Sequence, residues 1–133
     1  MSRENVDAVR EIYRGWSQGD FSVGINVFDP DIEFTSDFGV DRVTAKGLDG
    51  MRRAWREQLR NWDTWRTGEI QELRDLGDCV LAINPIHGRG RQSGVEVEIP
   101  NAAVAFRFHE GKIVWMLATD RLDTALEAVG LRE

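Results

Sequence analysis

Moving a proton beside a carbonyl needs a carboxylate or imidazole held partly out of water. It also needs hydrogen-bond donors aimed at the oxygen that gains charge. The chain has one tyrosine, two histidines and one cysteine, so few sets of residues meet that demand. Asp37 follows the first short strand and is the best candidate general base, with Asp41 a weaker one. Tyr13 lies on the apolar stripe of the first helix, from which its hydroxyl can serve as an oxyanion donor, and His87 at a strand end is a candidate acid or base. Asn84 and Asn101 interrupt apolar strands, where an unpaired amide costs about 1–3 kcal/mol. Each therefore meets backbone at a bulge or faces a pocket. Trp62, Trp65, Trp115 and Asp120 complete the candidate substrate-binding set. Plainer structural readings stand beside each: a solvated loop for Asp37, core for Tyr13 and the tryptophans, surface for His87. Asn101 suits a bulge and Asp120 a helix cap.

Other chemistries find less support. Two histidines and one cysteine, far apart in sequence, give no transition-metal signature, and no metal or other cofactor is expected. A site built from carboxylates alone stays open. The segment 88–94, GRGRQSG, lacks the Gly-Lys-Ser/Thr ending of a phosphate loop, and Ser93 is not in a G-x-S-x-G elbow. Arg89 and Arg91 can pair with Glu96 and Glu98 across a hairpin.

These residues must be positioned by a sheet and its covering helices. Val6, Val9, Ile12, Tyr13 and Trp16 fall on one helical stripe, capped by Asn5 or Ser2 and ended by Gly19. A second short helix, capped by Asp20, carries Phe21, Ile25 and Phe28. Asp29-Pro30-Asp31 reads as a turn, and Ile32 and Phe34 as a brief strand. Residues 36–46 read as a loop or a short strand around Val43. A third helix from Leu48 carries Met51, Trp55, Leu59 and Trp62 on one face and Arg52, Arg53, Arg56 and Arg60 on the other. Strands are expected over 65–76 and 79–86. A long hairpin over 95–118 turns at His109–Lys112, and a terminal helix runs over 121–131. Val95, Val97 and Ile99 alternate in one phase and Val104, Phe106 and Phe108 in the other. The strand between them therefore needs a bulge at Pro100-Asn101. The fold class is α+β: a curved antiparallel sheet with helices gathered on one face, whose concave side can hold a ligand.

The totals bound the answer further. A chain of 133 residues reads as one domain, 1–133, that buries roughly two-thirds of its unfolded surface. A formal charge of −6 argues against nucleic acid. The first residues lack the apolar centre of a signal peptide, and no run approaches the roughly eighteen apolar residues of a membrane span. A single cysteine fits the cytoplasm.

The segments ENVDAVREIYRGWSQGDF, FDPDIEF, GRGRQSGVEVE and FRFHEGKIVWMLATDRLDTALEAVGL, in that order, resemble the SnoaL-like family of the nuclear transport factor two (cystatin-like cone) superfamily. The resemblance spans essentially the whole chain. It implies a bent sheet wrapped by three helices into a cone, with a short C-terminal helix, a mostly apolar pocket and homodimers paired through the sheet. It also implies a spread of activities: ketosteroid isomerases, polyketide cyclases, epoxide hydrolases and members without known chemistry. The isomerase tyrosine, base and late-strand aspartate positions fall on Ile12, Ser36 and Val104, and the hydrolase strand aspartate falls on Leu117. Tyr13 and Asp37 each stand one residue away, and on a strand one residue means the opposite face unless a bulge intervenes. The expected function is an apolar small-molecule pocket serving a cofactor-independent isomerase, cyclase or hydrolase of a hydrophobic carbonyl compound. The alternatives are a non-catalytic binder of such a compound and a dimerising module.

Overall fold

The computed structural model describes residues 2–38 and 41–130, with the side chains of Ser2 and Asp41 outside the description. Helix α1 (Ser2–Ser17) buries Val9, Ile12, Tyr13 and Trp16, as its stripe requires. Asn5 is not its cap: it lies inside the helix, buried, and its amide reaches the Gly77 carbonyl at 3.4 Å. The expected second helix shrinks to one 3-10 turn, Ile25–Val27. Asp20 accepts bonds from the Ser22 N–H and hydroxyl at 3.0 and 2.6 Å, so it closes a local turn instead of starting a helix.

Strand β1 (Phe28–Phe38) runs straight through Asp29-Pro30-Asp31, which forms an irregularity in the strand and not a turn between elements. Strand β2 (Asp41–Lys46) pairs back on it, so the strand reading of this segment holds. Helix α2 (Gly47–Arg60) buries Met51 and exposes its four arginines. Trp62 is not on this helix but begins strand β3 (Trp62–Thr67), separated from β4 (Glu72–Asp75) where one strand was expected. Strands β5 (Cys79–Gly90), β6 (Glu96–His109) and β7 (Lys112–Thr119) follow, then helix α3 (Leu122–Ala128). Leu131, expected in that helix, lies outside the described residues.

The strands form one sheet in the order β2-β1-β7-β6-β5-β3, with β4 also paired to β5. Every pairing is antiparallel except β1 with β7, which is parallel, and the sheet curls into a half-barrel. Asn84 pairs with Ala102 and Ile86 with Ile99, so Pro100 and Asn101 oppose Pro85 alone. The extra residue sits where the phase of the apolar pattern changes. Without it, Val104 and Phe106 would turn away from the face that Ile86 occupies. The β6–β7 turn uses Glu110 and Gly111, both at positive φ (51° and 80°), the backbone twist that suits a two-residue hairpin.

Two apolar clusters use opposite faces of this sheet. The concave face carries Val80, Ala82, Val104, Phe106 and Met116 under α1 and α2. The convex face carries Leu81, Ile83, Ala103 and Ala105 under Ala125 and Leu126 of α3. Which face a side chain takes therefore decides whether it can reach the interior of the cone.

Candidate functional site

Helices α1 and α2 roof the concave face over a half-open chamber of about 70 Å³. Alternation along β1 sends Phe34, Ser36 and Phe38 into it, β5 contributes Asn84 and Ile86, and β6 contributes Val104. Trp16 is packed against Tyr13, Trp55, Phe106 and Phe21 at centroid distances of 5.1, 5.9, 6.3 and 6.4 Å. Such tilted and edge contacts stiffen the roof. A groove of about 400 Å³ lies outside, and it shares Ser36, Phe38, Gln58 and Trp65 with the chamber. These four side chains form the neck between the two spaces.

Besides Thr67, three polar features interrupt the apolar wall. The Tyr13 hydroxyl donates to Asn84 Oδ1 at 2.8 Å, and Asn84 Nδ2 donates to the Pro85 carbonyl at 3.0 Å. Burial pushes the Tyr13 phenol well above its ordinary range, so it remains protonated. Ser36 Oγ donates to Gln58 Oε1 at 3.0 Å. Trp16 is 7 % exposed, and its indole N–H is buried without an acceptor among the described residues. An unmade bond of that kind costs about 1–3 kcal/mol.

No Asp, Glu, Lys, Arg or His lines the chamber among the described residues; the Tyr13 phenol is its one ionisable group. Asp37 is absent from the wall because it sits one residue past Ser36 and faces the convex side. There it is 4 % exposed and held by Arg121 Nη2 at 3.3 and 3.1 Å and by Arg42 Nη1 at 3.2 Å. It is not a solvated loop residue, and it does not face a chamber ligand. The rule that a one-residue offset on a strand reverses the face holds for this carboxylate. It does not hold for Tyr13, because neighbouring positions on a helix are only about 100° apart and the buried stripe admits both Ile12 and Tyr13.

The other candidates divide in the same way. Asn84, Tyr13 and Trp65 meet at the chamber; Trp62 lines only the outer groove, its ring tilted against Trp65 at a centroid distance of 5.0 Å. His87 is exposed on the convex side, between the strand neighbours Arg66 and Glu98. Asn101 is exposed at the bulge and takes no part in the wall. Trp115 lies on the convex face, where Arg107 sits 4.9 Å from its ring centroid. Asp120 is absent from the chamber wall and is not a helix cap; the N-cap position is Arg121, whose N–H donates to Thr119 Oγ1 at 3.1 Å. Arg89 pairs with Glu96 at 3.4 Å, the structural role expected of it.

Sequence reasoning passed over Gln58, Thr67 and Phe38 and took Trp16 and Trp55 only as core. Gln58 carried no signal, since its partner Ser36 comes from a strand brought beside α2 by the fold. No group of three or more His, Cys, Asp or Glu among the described residues is arranged to hold a metal ion. No helix among them is long and apolar enough to cross a membrane.

Comparison with known proteins agrees with this architecture. A SnoaL-like domain matches residues 9–116. Among solved structures, an NTF2-like protein from Burkholderia thailandensis superposes with TM-score 0.75 at 25 % identity, covering 96 % of each chain. TerC, co-crystallised with polyporic acid, superposes with TM-score 0.74 at 18 % identity, covering 95 % of this chain and 96 % of that one. A protein described as a SnoaL-like polyketide cyclase, from Jannaschia, gives TM-score 0.73 at 14 % identity, covering 87 % and 84 %. No curated protein matches the chain.

Proposed function

The chain belongs to the SnoaL-like domain family, and on that footing we propose that its cone binds a small, uncharged, apolar molecule without transforming it. One observation carries this reading: the described chamber wall holds no charged side chain, while the candidate base Asp37 is turned away and engaged by two arginines. A charged ligand entering such a wall would lose its hydration without recompense. A chamber of about 70 Å³ is small beside the 300–1,000 Å³ or so of drug-sized sites. The ligand therefore places one compact group inside and leaves the rest at the neck and outer groove. Tyr13, Asn84 and Trp65 are its contacts from the original candidates, joined by Trp16, Trp55, Ser36 and Gln58. The co-crystallisation of the fold neighbour TerC with polyporic acid is compatible with small-molecule binding in this architecture.

A second reading, a cofactor-independent isomerase, cyclase or hydrolase, draws on the Tyr13–Asn84 pair, which is placed to polarise a carbonyl oxygen. It lacks a base, since the one ionisable group in the wall is a phenol kept protonated. Pairing of two copies through the sheet is a family-based part of this proposal, and a cytoplasmic location is a further part that rests on the single cysteine. Val95 and Val97, 58 % and 40 % exposed, are apolar groups that a second copy would cover.

Heteronuclear NMR of the indole N–H groups tests the binding reading, because three of the five tryptophans line the chamber and Trp115 does not. Methyl benzoate is expected to shift Trp16, Trp55 and Trp65 while leaving Trp115 in place, and benzoate is expected to shift none of them. Equal shifts with benzoate would overturn the uncharged-ligand reading.

A further inference from the structure

Helix α2 concentrates charge opposite in sign to that of the whole chain. The chain is −6 overall, yet Arg52, Arg53, Arg56 and Arg60 all stand exposed on α2. At 3.6 residues per turn they fall within an arc of about 100°. Arg52 reaches Asp49 at 3.8 Å, while Arg53, Arg56 and Arg60 make no ion pair among the described residues. Arg52, Arg56 and Arg60 follow one another at i, i+4, the spacing at which like charges weaken a helix. Within the described fold nothing neutralises this face.

The β5–β6 hairpin continues the stripe at the C-terminal end of α2. The Arg91 N–H donates to the Asn61 carbonyl at 3.0 Å and Arg91 Nη2 to the Trp62 carbonyl at 3.4 Å, which seats the hairpin tip on the helix end. Between them lies a groove of about 430 Å³ lined by Arg60, Asn61, Gly90, Arg91, Gln92 and Ser93, with no acid in its described wall. Guanidinium groups gathered without an acid suit carboxylates, which they bind with two parallel bonds. The arginines of α2 extend over about 12 Å, farther than one small anion spans. A nucleic acid carries its charge well past such a stripe, onto a surface that is acidic overall. A protein segment can end its acidic run where the stripe ends.

We propose that this face docks an acidic segment of a partner protein, with carboxylates seated along Arg52, Arg53, Arg56 and Arg60 and at the Arg91 groove. The assignment is independent of what the chamber binds. Gln58 and Asn61 of the same helix line the outer groove, so the docked partner sits beside the cone mouth.

The test titrates the full chain with a ten-residue glutamate peptide at low salt, followed by backbone amide NMR. Shifts are expected at residues 52–60 and 90–93, fading as salt is raised to about 0.15 M. The triple variant Arg53→Gln, Arg56→Gln, Arg60→Gln is expected to bind about tenfold more weakly. A control triple on α1, Arg3→Gln, Arg10→Gln, Arg14→Gln, is expected to change affinity by less than about twofold. An equal loss in the control would show a general charge effect and overturn the assignment, as would shifts elsewhere or none. Tighter binding of a DNA duplex at the same arginines would overturn it in favour of nucleic acid. Inorganic phosphate shifting these residues where the peptide does not would overturn it in favour of a small anion. The shift map of the unsubstituted protein decides even if a variant does not fold.

Discussion

At the scale of single residues, the buried Tyr13–Asn84 bond ties the first helix to the sheet across the chamber wall. Tyr13→Phe leaves Asn84 Oδ1 without its donor in a site where Asn84 is 1 % exposed. The expected loss is about 1–3 kcal/mol, read from the urea midpoint. Tyr13 is also the chain's single tyrosine, so phenolate absorbance reports it alone. Its folded pKa lies above the unfolded value of 10.0, so the folded state binds more protons than the unfolded state at alkaline pH. The stabilisation is then complete below about pH 10 and falls as pH rises beyond it. Phenolate should appear only together with unfolding, and the Tyr13 part of the alkaline loss should be missing in Tyr13→Phe. Asp37→Asn probes the opposite face. It weakens the bonds from Arg42 and Arg121, so a loss of about 1–3 kcal/mol is expected, with affinity for methyl benzoate unchanged. A large change in that affinity would return Asp37 to the chamber. Tyr13 and Asn84 were legible as candidates because a lone polar group on an apolar stripe or strand needs a partner. Their bond to each other was not, since it joins residues 71 positions apart.

At the scale of elements, the neck depends on the fit between β3 and β5. Gly88 pairs with Trp65, and a Cβ at Gly88 would lie 2.9 Å from Trp62 Cε3 and 3.3 Å from Trp65 Cε3. Trp65 in turn meets Phe38 edge-on at 5.7 Å. Gly88→Ala should therefore push this aromatic pair off the strand, cost about 1–3 kcal/mol and alter the indole signals of Trp62 and Trp65. Unchanged stability and signals would show that the pair is not seated on Gly88. Periodicity made most elements readable: the α1 stripe, the arginine face of α2 and the bulge at Pro100-Asn101 each follow from spacing alone. It failed where neighbours supplied the structure. Residues 29–31 carry turn residues, yet β7 and β2 hold the flanking chain in one strand. Trp62 continues the apolar spacing of α2, yet pairing with Gly90 takes it into β3.

At the scale of the whole molecule, the curled sheet gives β1, β3, β5, β6 and β7 one side facing the chamber and one side facing α3 or solvent. This division sorts the candidate residues. It places Tyr13, Asn84 and Trp65 at the chamber and puts Asp37, His87 and Trp115 on the other side. Fold class was readable because four segments in order carry the family's pattern, whereas strand facing around each bulge had to come from the register. The most direct measurement is a crystal structure of the protein soaked with methyl benzoate. The account predicts density within the chamber and neck, against Trp16, Trp55 and Trp65, with no contact to Asp37. Density that contacts the Asp37 carboxylate and leaves the chamber without ligand would contradict it.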